Sequence, residues 1–451
     1  MTSRTKQWER NQTRILTLLT LSAFVFFSRP TQASAPDMPS ELRFIQVAAK
    51  TKEERSQIAN LGISIEEIRS DSVWGFGSLK EIQKLQLKGH SILGNFDFSV
   101  ARGGHENLFA YPPKDSRYHT YEQMQNALNE LQAKNADITT IQSIGKTVEG
   151  RNLWALHINT SAEALQSGKS NKPGAIFMGN HHAREHLSAE IPLMLAQYLL
   201  EHRKETKIAQ LLDSRDLWII PMVNPDGAEF DIATGKYRYW RKNRRNNGDG
   251  TFGVDLNRNY GYQWGTGGSD KETSSEVYMG TEPFSEPETQ AIRNFVGSQE
   301  NAKILLSFHT FSELILYPWG HTYEPITDAK DRSVFEKMAI TMAKWNQYAP
   351  QSSSDLYIAS GDTVDWAYGE HRIFAFTFEL SPKSMWNGGF YPGAGIIDKV
   401  FQDNLQPCLY LMDMAGNPYQ VLENEPTGWL RSYVEPRTPE LFMRHPDIQN
   451  I

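Results

Sequence analysis

Five short apolar runs constrain this chain most: LWALHIN (153–159), GAIFMGN (174–180), LWIIPMVN (217–224), KILLSFH (303–309) and FAFTFEL (374–380). Each reads as a strand whose two faces are both buried, because none shows the regular polar alternation of a strand half open to water. Helical periodicity fills 187–203, 331–347 and about 395–415, and Thr120 to Gln123 has the spacing of a capping box opening a helix to about Lys134. Alternating strands and helices predict an α/β domain over 118–420, a buried central sheet flanked by helices. Polar residues at the ends of the strands are then the candidates for chemistry, since open α/β sheets hold ligands there.

Ahead of this domain, 36–100 carries a weaker repeat. ELRFIQVAA, TKEERSQIAN and ISIEEIRS read as strand, helix and strand, and SVWGFGS, LKEIQKLQLKG and HSILGNF repeat the order. Two β-α-β passes of this size predict a small ferredoxin-like α+β open sandwich. Residues 101–117 lack periodicity and read as a linker, with Arg102-Gly103-Gly104 a candidate cleavage site. Residues 421–451 read as a C-terminal extension.

The chain begins like an exported protein. Arg4, Lys6, Arg10 and Arg14 precede the apolar run Ile15 to Phe27, and Ala33-Ser34-Ala35 supplies a small-x-small cleavage pattern, so 1–35 reads as a signal peptide. No second apolar run has membrane length, so the expectation is a secreted, extracellular or periplasmic protein with no membrane association after signal removal. A net charge of −7 argues against a nucleic-acid partner. The single Cys408 rules out an intrachain disulfide framework and a cysteine-based zinc site. The protein is expected to be a monomer.

The densest chemistry is HHAREH, residues 181–186, in a chain with 12 histidines. Read as H-x-x-E, it offers His182 and Glu185 as metal ligands, and the general base comes from elsewhere. Read as H-x-x-E-H, it offers His182 and His186 as ligands with Glu185 as the base. The second parse needs one continuous helix from about 181, which would run into Pro192. That favours the first parse without deciding it. His309 and Glu379, each at the end of an apolar strand, would complete a site of three ligands and a base. Taken singly, His309 reads as a core histidine and Glu379 as a salt-bridged strand end. Asn224-Pro225-Asp226-Gly227 reads as a tight turn after a strand, and Trp240-Arg241-Lys242 and Asp255-Leu256-Asn257-Arg258-Asn259 bring in guanidinium and amide groups suited to a carboxylate or an oxyanion. The run RKNRRNNGD reads equally well as a solvated basic loop.

Taken in order, HARE, NPDG, YWRK, GVDLNRN, SFHTFSELILYPWG, LYIASGDTVDW and FTFEL make residues 118 to about 415 resemble the zinc metallocarboxypeptidases related to pancreatic carboxypeptidases A and B, especially their secreted bacterial relatives. Residues 41–99 resemble the propeptide of such zymogens by size, position and pattern.

The resemblance implies a mixed central sheet and one Zn2+ held by His182, Glu185 and His309; structural Ca2+ is left open. It implies Glu379 as general base, Arg241 as stabiliser of the oxyanion, and Asp255 as the partner that fixes the His182 tautomer. Asn257 and Arg258 would bind the terminal carboxylate, with Tyr357 closing over it. His181 and His186 would be loop residues without a metal role. Val364 favours an apolar C-terminal residue, while Asp362 either faces the same pocket and tolerates basic residues or caps the following helix. The implied partners are peptide or protein C-termini and the protein's own propeptide as intramolecular inhibitor. Two alternatives accompany this reading: a peptidoglycan stem-peptide peptidase of the same fold, and an inactive carboxypeptidase-like binding protein.

Overall fold

The structure, a computed structural model, describes residues 42–97, 111, 113–233 and 235–423. The expected signal peptide, most of the linker and nearly all of the C-terminal extension lie outside the described residues, which fall within one compact unit, 38–451.

The N-terminal layer runs β1 (Arg43–Ala48), α1 (Lys52–Ala59), β2 (Ser64–Ile68), β3 (Ser72–Gly77), α2 (Leu79–Leu87) and β4 (Ile92–Asp97). Its sheet is antiparallel in the order β2-β3-β1-β4, the arrangement that two β-α-β passes predict. Thr51 with Glu54, and Ser78 with Glu81, close capping boxes that start its two helices.

The main domain opens with α3 (Tyr121–Lys134), started by the expected Thr120–Gln123 capping box. Then follow β5 (Thr139–Lys146), β6 (Asn152–Ile158), α4 (Ala162–Ser167), β7 (Gly174–Gly179), α5 (Leu187–Glu201), α6 (Thr206–Ser214), β8 (Asp216–Ile220) and α7 (Pro225–Ile232). The second half supplies α8 (Pro287–Ser298), β9 (Ala302–Thr310), β10 (Leu314–Tyr317), α9 (Ala329–Asn346), β11 (Ala349–Ser352), α10 (Thr363–His371), β12 (Phe374–Leu380) and α11 (Ile397–Met414). Eight strands form one mixed sheet in the order β11-β10-β12-β9-β7-β8-β6-β5.

Successive residues of the central strands go to opposite cores, which is why their sequences are apolar throughout. Ala175 and Phe177 of β7 join the core under α3, α5, α9 and α11, whereas Ile176 and Met178 join the one under α8 and α10. Strands β12, β9, β7 and β8 are mutually parallel, so their C-terminal ends share one edge of the sheet. The loop 180–186, His309 and Glu379 all lie on that edge. Among the described residues no helix is long and apolar enough to cross a membrane.

Candidate active site

The two parses of HHAREH separate cleanly. Helix α5 begins at Leu187, after the motif, and continues through Pro192, so His182 and Glu185 lie in the loop that leaves β7. Asn180 starts that loop at φ 58°, a left-handed conformation that asparagine tolerates better than most residues. Its side-chain amide faces the carbonyls of His182 (3.2 Å), Ala183 (3.4 Å) and Glu185 (3.4 Å). His186 is turned elsewhere: Nε2 meets Asp231 at 2.8 Å and Nδ1 meets the Tyr111 hydroxyl at 2.6 Å.

His182, Glu185 and His309 converge, each buried. His182 Nδ1 is 2.8 Å from Glu185 Oε1, His309 Nδ1 is 3.0 Å from Glu185 Oε2, and the two Nδ1 atoms are 3.2 Å apart. The donor set tests whether a cation fits. His182 Nε2 lies 3.1 Å from the Asp255 carboxylate and His309 Nε2 lies 3.1 Å from Ser307 Oγ, so both ring protons are placed on Nε2. Two imidazole lone pairs and a carboxylate then face one point, which is repulsive without a cation among them. Ligands about 2.0–2.1 Å from a tetrahedral zinc stand about 3.3 Å apart, close to the separations here. The three residues fit zinc.

Burial pushes the Glu185 carboxyl up, but His182 and His309 hold it below the usual range. Asp255 is likewise opposed by its burial, yet Arg241 and His182 keep it well below the ordinary value. One oxygen of Asp255 accepts from Arg241 Nε and Nη2 at 3.0 and 2.9 Å, while the other faces His182 and accepts the Asn257 backbone N–H at 3.0 Å. A single carboxylate therefore orients a metal ligand and the guanidinium beside it. Glu379 lies opposite His309 in the parallel β9–β12 register. Its burial and the Glu185 carboxylate push its carboxyl well above the ordinary range, and Arg241 opposes them.

A cavity of about 370 Å³ joins these groups to the other residues singled out in the sequence. His182, Glu185, Arg241, Asn257, Arg258, Tyr357, Asp362, Val364 and Glu379 all line it. Arg258 uses Nε on the Gly268 carbonyl (2.9 Å) and Nη1 on that of Asn257 (2.8 Å); among the described residues Nη2 has no partner. Asp362 both caps α10 and lines the cavity. Oδ1 caps α10 by accepting from Val364 N and Asp365 N at 2.9 Å each, while Oδ2 is buried without a partner among the described residues. Burial and neighbouring Asp365 push this carboxyl up to about 8.

The basic run is solvated only in its second half, where Asn246, Gly248 and Asp249 are exposed. Arg241, Lys242, Asn243 and Arg244 are buried, and burial pushes the Lys242 amine down to about 8. Sequence reasoning passed over Arg184, which is fully buried and pairs with Glu276 (3.1 Å) and with Glu66 of the N-terminal layer (2.6 Å). Its place inside HARE was the available signal; the partner, 118 residues away, had none. His181 and His186 lie in the loop as expected, but wholly inside the protein.

The family model for zinc carboxypeptidases matches residues 124–407. A zinc carboxypeptidase of Saccharothrix mutabilis subsp. capreolus is 35% identical over 398 residues, covering 84% of this chain and 89% of that relative. Human carboxypeptidase A5 is 33% identical over 320 residues, 69% of this chain and 70% of that relative. The crystal structure of carboxypeptidase A from Helicoverpa armigera has the same fold, with a TM-score of 0.68 at 24% identity, covering 84% of this chain and 98% of that one. The chain belongs to the zinc carboxypeptidase family. It is a metallocarboxypeptidase, a hydrolase acting at the C-termini of peptides.

Proposed function

We propose that the protein is a secreted carboxypeptidase made as a zymogen, with Glu379 as its general base and a preference for apolar C-terminal residues. The observation that carries this reading is one cavity lined by His182 and Glu185 of the metal-binding triad, by Glu379, and by the Asn257–Arg258 pair. Zinc held by His182, Glu185 and His309 would lower the pKa of a coordinated water to about 7 and polarise the substrate carbonyl. Glu379 takes the proton of the attacking water and passes it to the departing amine. Arg241, anchored on Asp255 through Nε and Nη2, keeps Nη1 for the charge that develops on the carbonyl oxygen. Arg258 Nη2 and the Asn257 amide grip the free carboxylate, and Tyr357 closes over it. An internal peptide bond offers no such carboxylate, hence exopeptidase action. Val364 supplies an apolar wall, and the unpartnered Asp362 oxygen gives basic side chains a foothold.

Latency is supported by what β2 touches. Ile65, Glu66, Glu67 and Ile68 line the cavity, and the Tyr357 hydroxyl meets the Ile65 carbonyl at 3.5 Å. Arg184–Glu66, Lys80–Glu272 (2.5 Å), Lys84–Asp270 (3.4 Å) and the bond from Arg55 Nη2 to the Asp355 carbonyl (2.8 Å) fasten the layer across the site. Phe44, Trp74 and Phe76 share an apolar core with Phe311 and Phe390 of the main domain. Zinc analysis with timed release of amino acids from a mixed peptide panel, before and after limited proteolysis, tests this reading. About one zinc per chain and sequential release only after cleavage are expected; full activity of the intact chain would remove the zymogen. Cleavage of cell-wall stem peptides in preference to the panel would favour a peptidoglycan peptidase.

A further inference from the structure

The imidazole of His181 is not used by the mechanism above, yet it is completely buried beside the metal cluster, its ring parallel to that of His309 at 5.5 Å. Its two nitrogens face opposite halves of the site. Nδ1 is 3.3 Å from Ser307 Oγ, which also lies 3.1 Å from His309 Nε2. Nε2 is 2.8 Å from the Tyr260 hydroxyl and 3.0 Å from Thr363 Oγ1. Thr363 in turn gives both of its donors to one atom, Asn257 Oδ1: its backbone N–H at 3.0 Å and its hydroxyl at 2.9 Å.

The protons of this chain can be assigned in sequence. His309 turns Nδ1 to the metal position, so its Nε2 carries the proton and donates to Ser307 Oγ. The Ser307 hydroxyl has one proton, and the nitrogen left to receive it is His181 Nδ1. His181 therefore carries its proton on Nε2 and donates toward Tyr260 and Thr363. The Thr363 hydroxyl, with His181 donating to it, directs its own proton to Asn257. Every bond then points the same way, from the metal ligand to the amide. With Oδ1 doubly occupied, Asn257 has only its NH2 group to offer, and among the described residues that group has no partner. A carboxylate needs donors, so this is the amide orientation that substrate recognition requires.

We propose that His181, with Ser307 and Thr363, is a positioning relay that ties the metal ligand His309 to the carboxylate-binding amide of Asn257. The proposal rests on reading Asn257 as a ligand of the substrate's terminal carboxylate. It makes His181 a residue that acts through its neighbours on both metal and substrate. It also predicts energetic coupling between the two sites, since the same imidazole orients both.

The test uses the proteolytically activated enzyme and one peptide in two forms, with a free C-terminal carboxylate and with a C-terminal amide. Thr363→Val keeps the backbone donor and removes the hydroxyl; it should raise KM for the free acid about 10-fold, the scale of an outer-shell contact, with the change in KM rather than kcat. His181→Leu should do the same and in addition weaken zinc, measured by competition with a chelator. The double variant should be no worse than the worse single one, since both cut one chain. Thr363→Ser should restore KM, which a purely steric role would not produce. Asn257→Ala separates the two readings. If it erases the preference for the free acid while Thr363→Val and His181→Leu leave KM unchanged, or if their effects simply add, the relay is wrong. If Asn257→Ala leaves the preference intact, the assignment of Asn257 fails and takes the relay with it.

Discussion

The two walls of the cavity are built on different principles. The metal wall stands on strand ends: His309 and Glu379 close neighbouring parallel strands, and His182 and Glu185 occupy a short loop leaving a third. Its three ligands are each held from behind: Asp255 meets His182, Ser307 meets His309, and the Thr310 N–H donates to Glu185. The recognition wall stands on long connections, 255–268 and 353–363, and leaves groups open: Arg258 Nη2, the Asn257 NH2 and Asp362 Oδ2. The contrast teaches that the chemistry is fixed by the sheet, whereas specificity is written in loops that can be rewritten without disturbing it.

The largest expected effect strikes the first wall alone. Glu379→Gln should bind zinc normally and lose about 10²–10⁴-fold in kcat; near-normal turnover in the metal-replete variant would take the base away from Glu379. Arg258→Ala should strike the second wall alone, raising KM for free C-termini by about 10–100-fold and shrinking the preference for acid over amide. An unchanged acid-to-amide ratio would remove Arg258 from recognition. The smallest effect sharpens the comparison inside the second wall. Because the Asp362 carboxyl is pushed up to about 8, it is mainly neutral at pH 7 and charged above pH 8. Release of C-terminal Lys or Arg relative to Leu should therefore rise several-fold between about pH 7 and 9. Asp362→Asn should flatten that rise and leave Leu release in place; a flat profile in the unmodified enzyme would discard Asp362 as the determinant.

The same division governs what the sequence made readable. Unbroken apolar runs located the five central strands to within a few residues, because strands buried on both faces leave a strong local signature. The short strands β10 and β11, with sequences LILY and APQS, carry too little apolar pattern and went unread, as did the edge strand β5, TTIQSIGK. The loop position of HARE was favoured from Pro192 for a reason the structure does not share, since α5 runs through that proline; what separates His182 from His186 is the helix start at Leu187. The burial of RKNR, the first four residues of RKNRRNNGD, was not legible. A run of charges looks solvated until its partners, Asp255, Glu286 and a set of aromatic rings, arrive from elsewhere in the chain. The dual use of Asp362 was visible only as two competing readings, since helix capping engages one oxygen and the sequence does not say where the other points.

Glu379 and His309 face each other across neighbouring strands, so the spacing between the proposed base and the metal-binding histidine is inherited from the interval between hydrogen-bonded backbones, about 4.8 Å. The sheet serves as a ruler. Surface loops can lengthen, shorten or be exchanged around such a gauge without recalibrating the reaction, and only a slip of one strand along the other would put it out of measure.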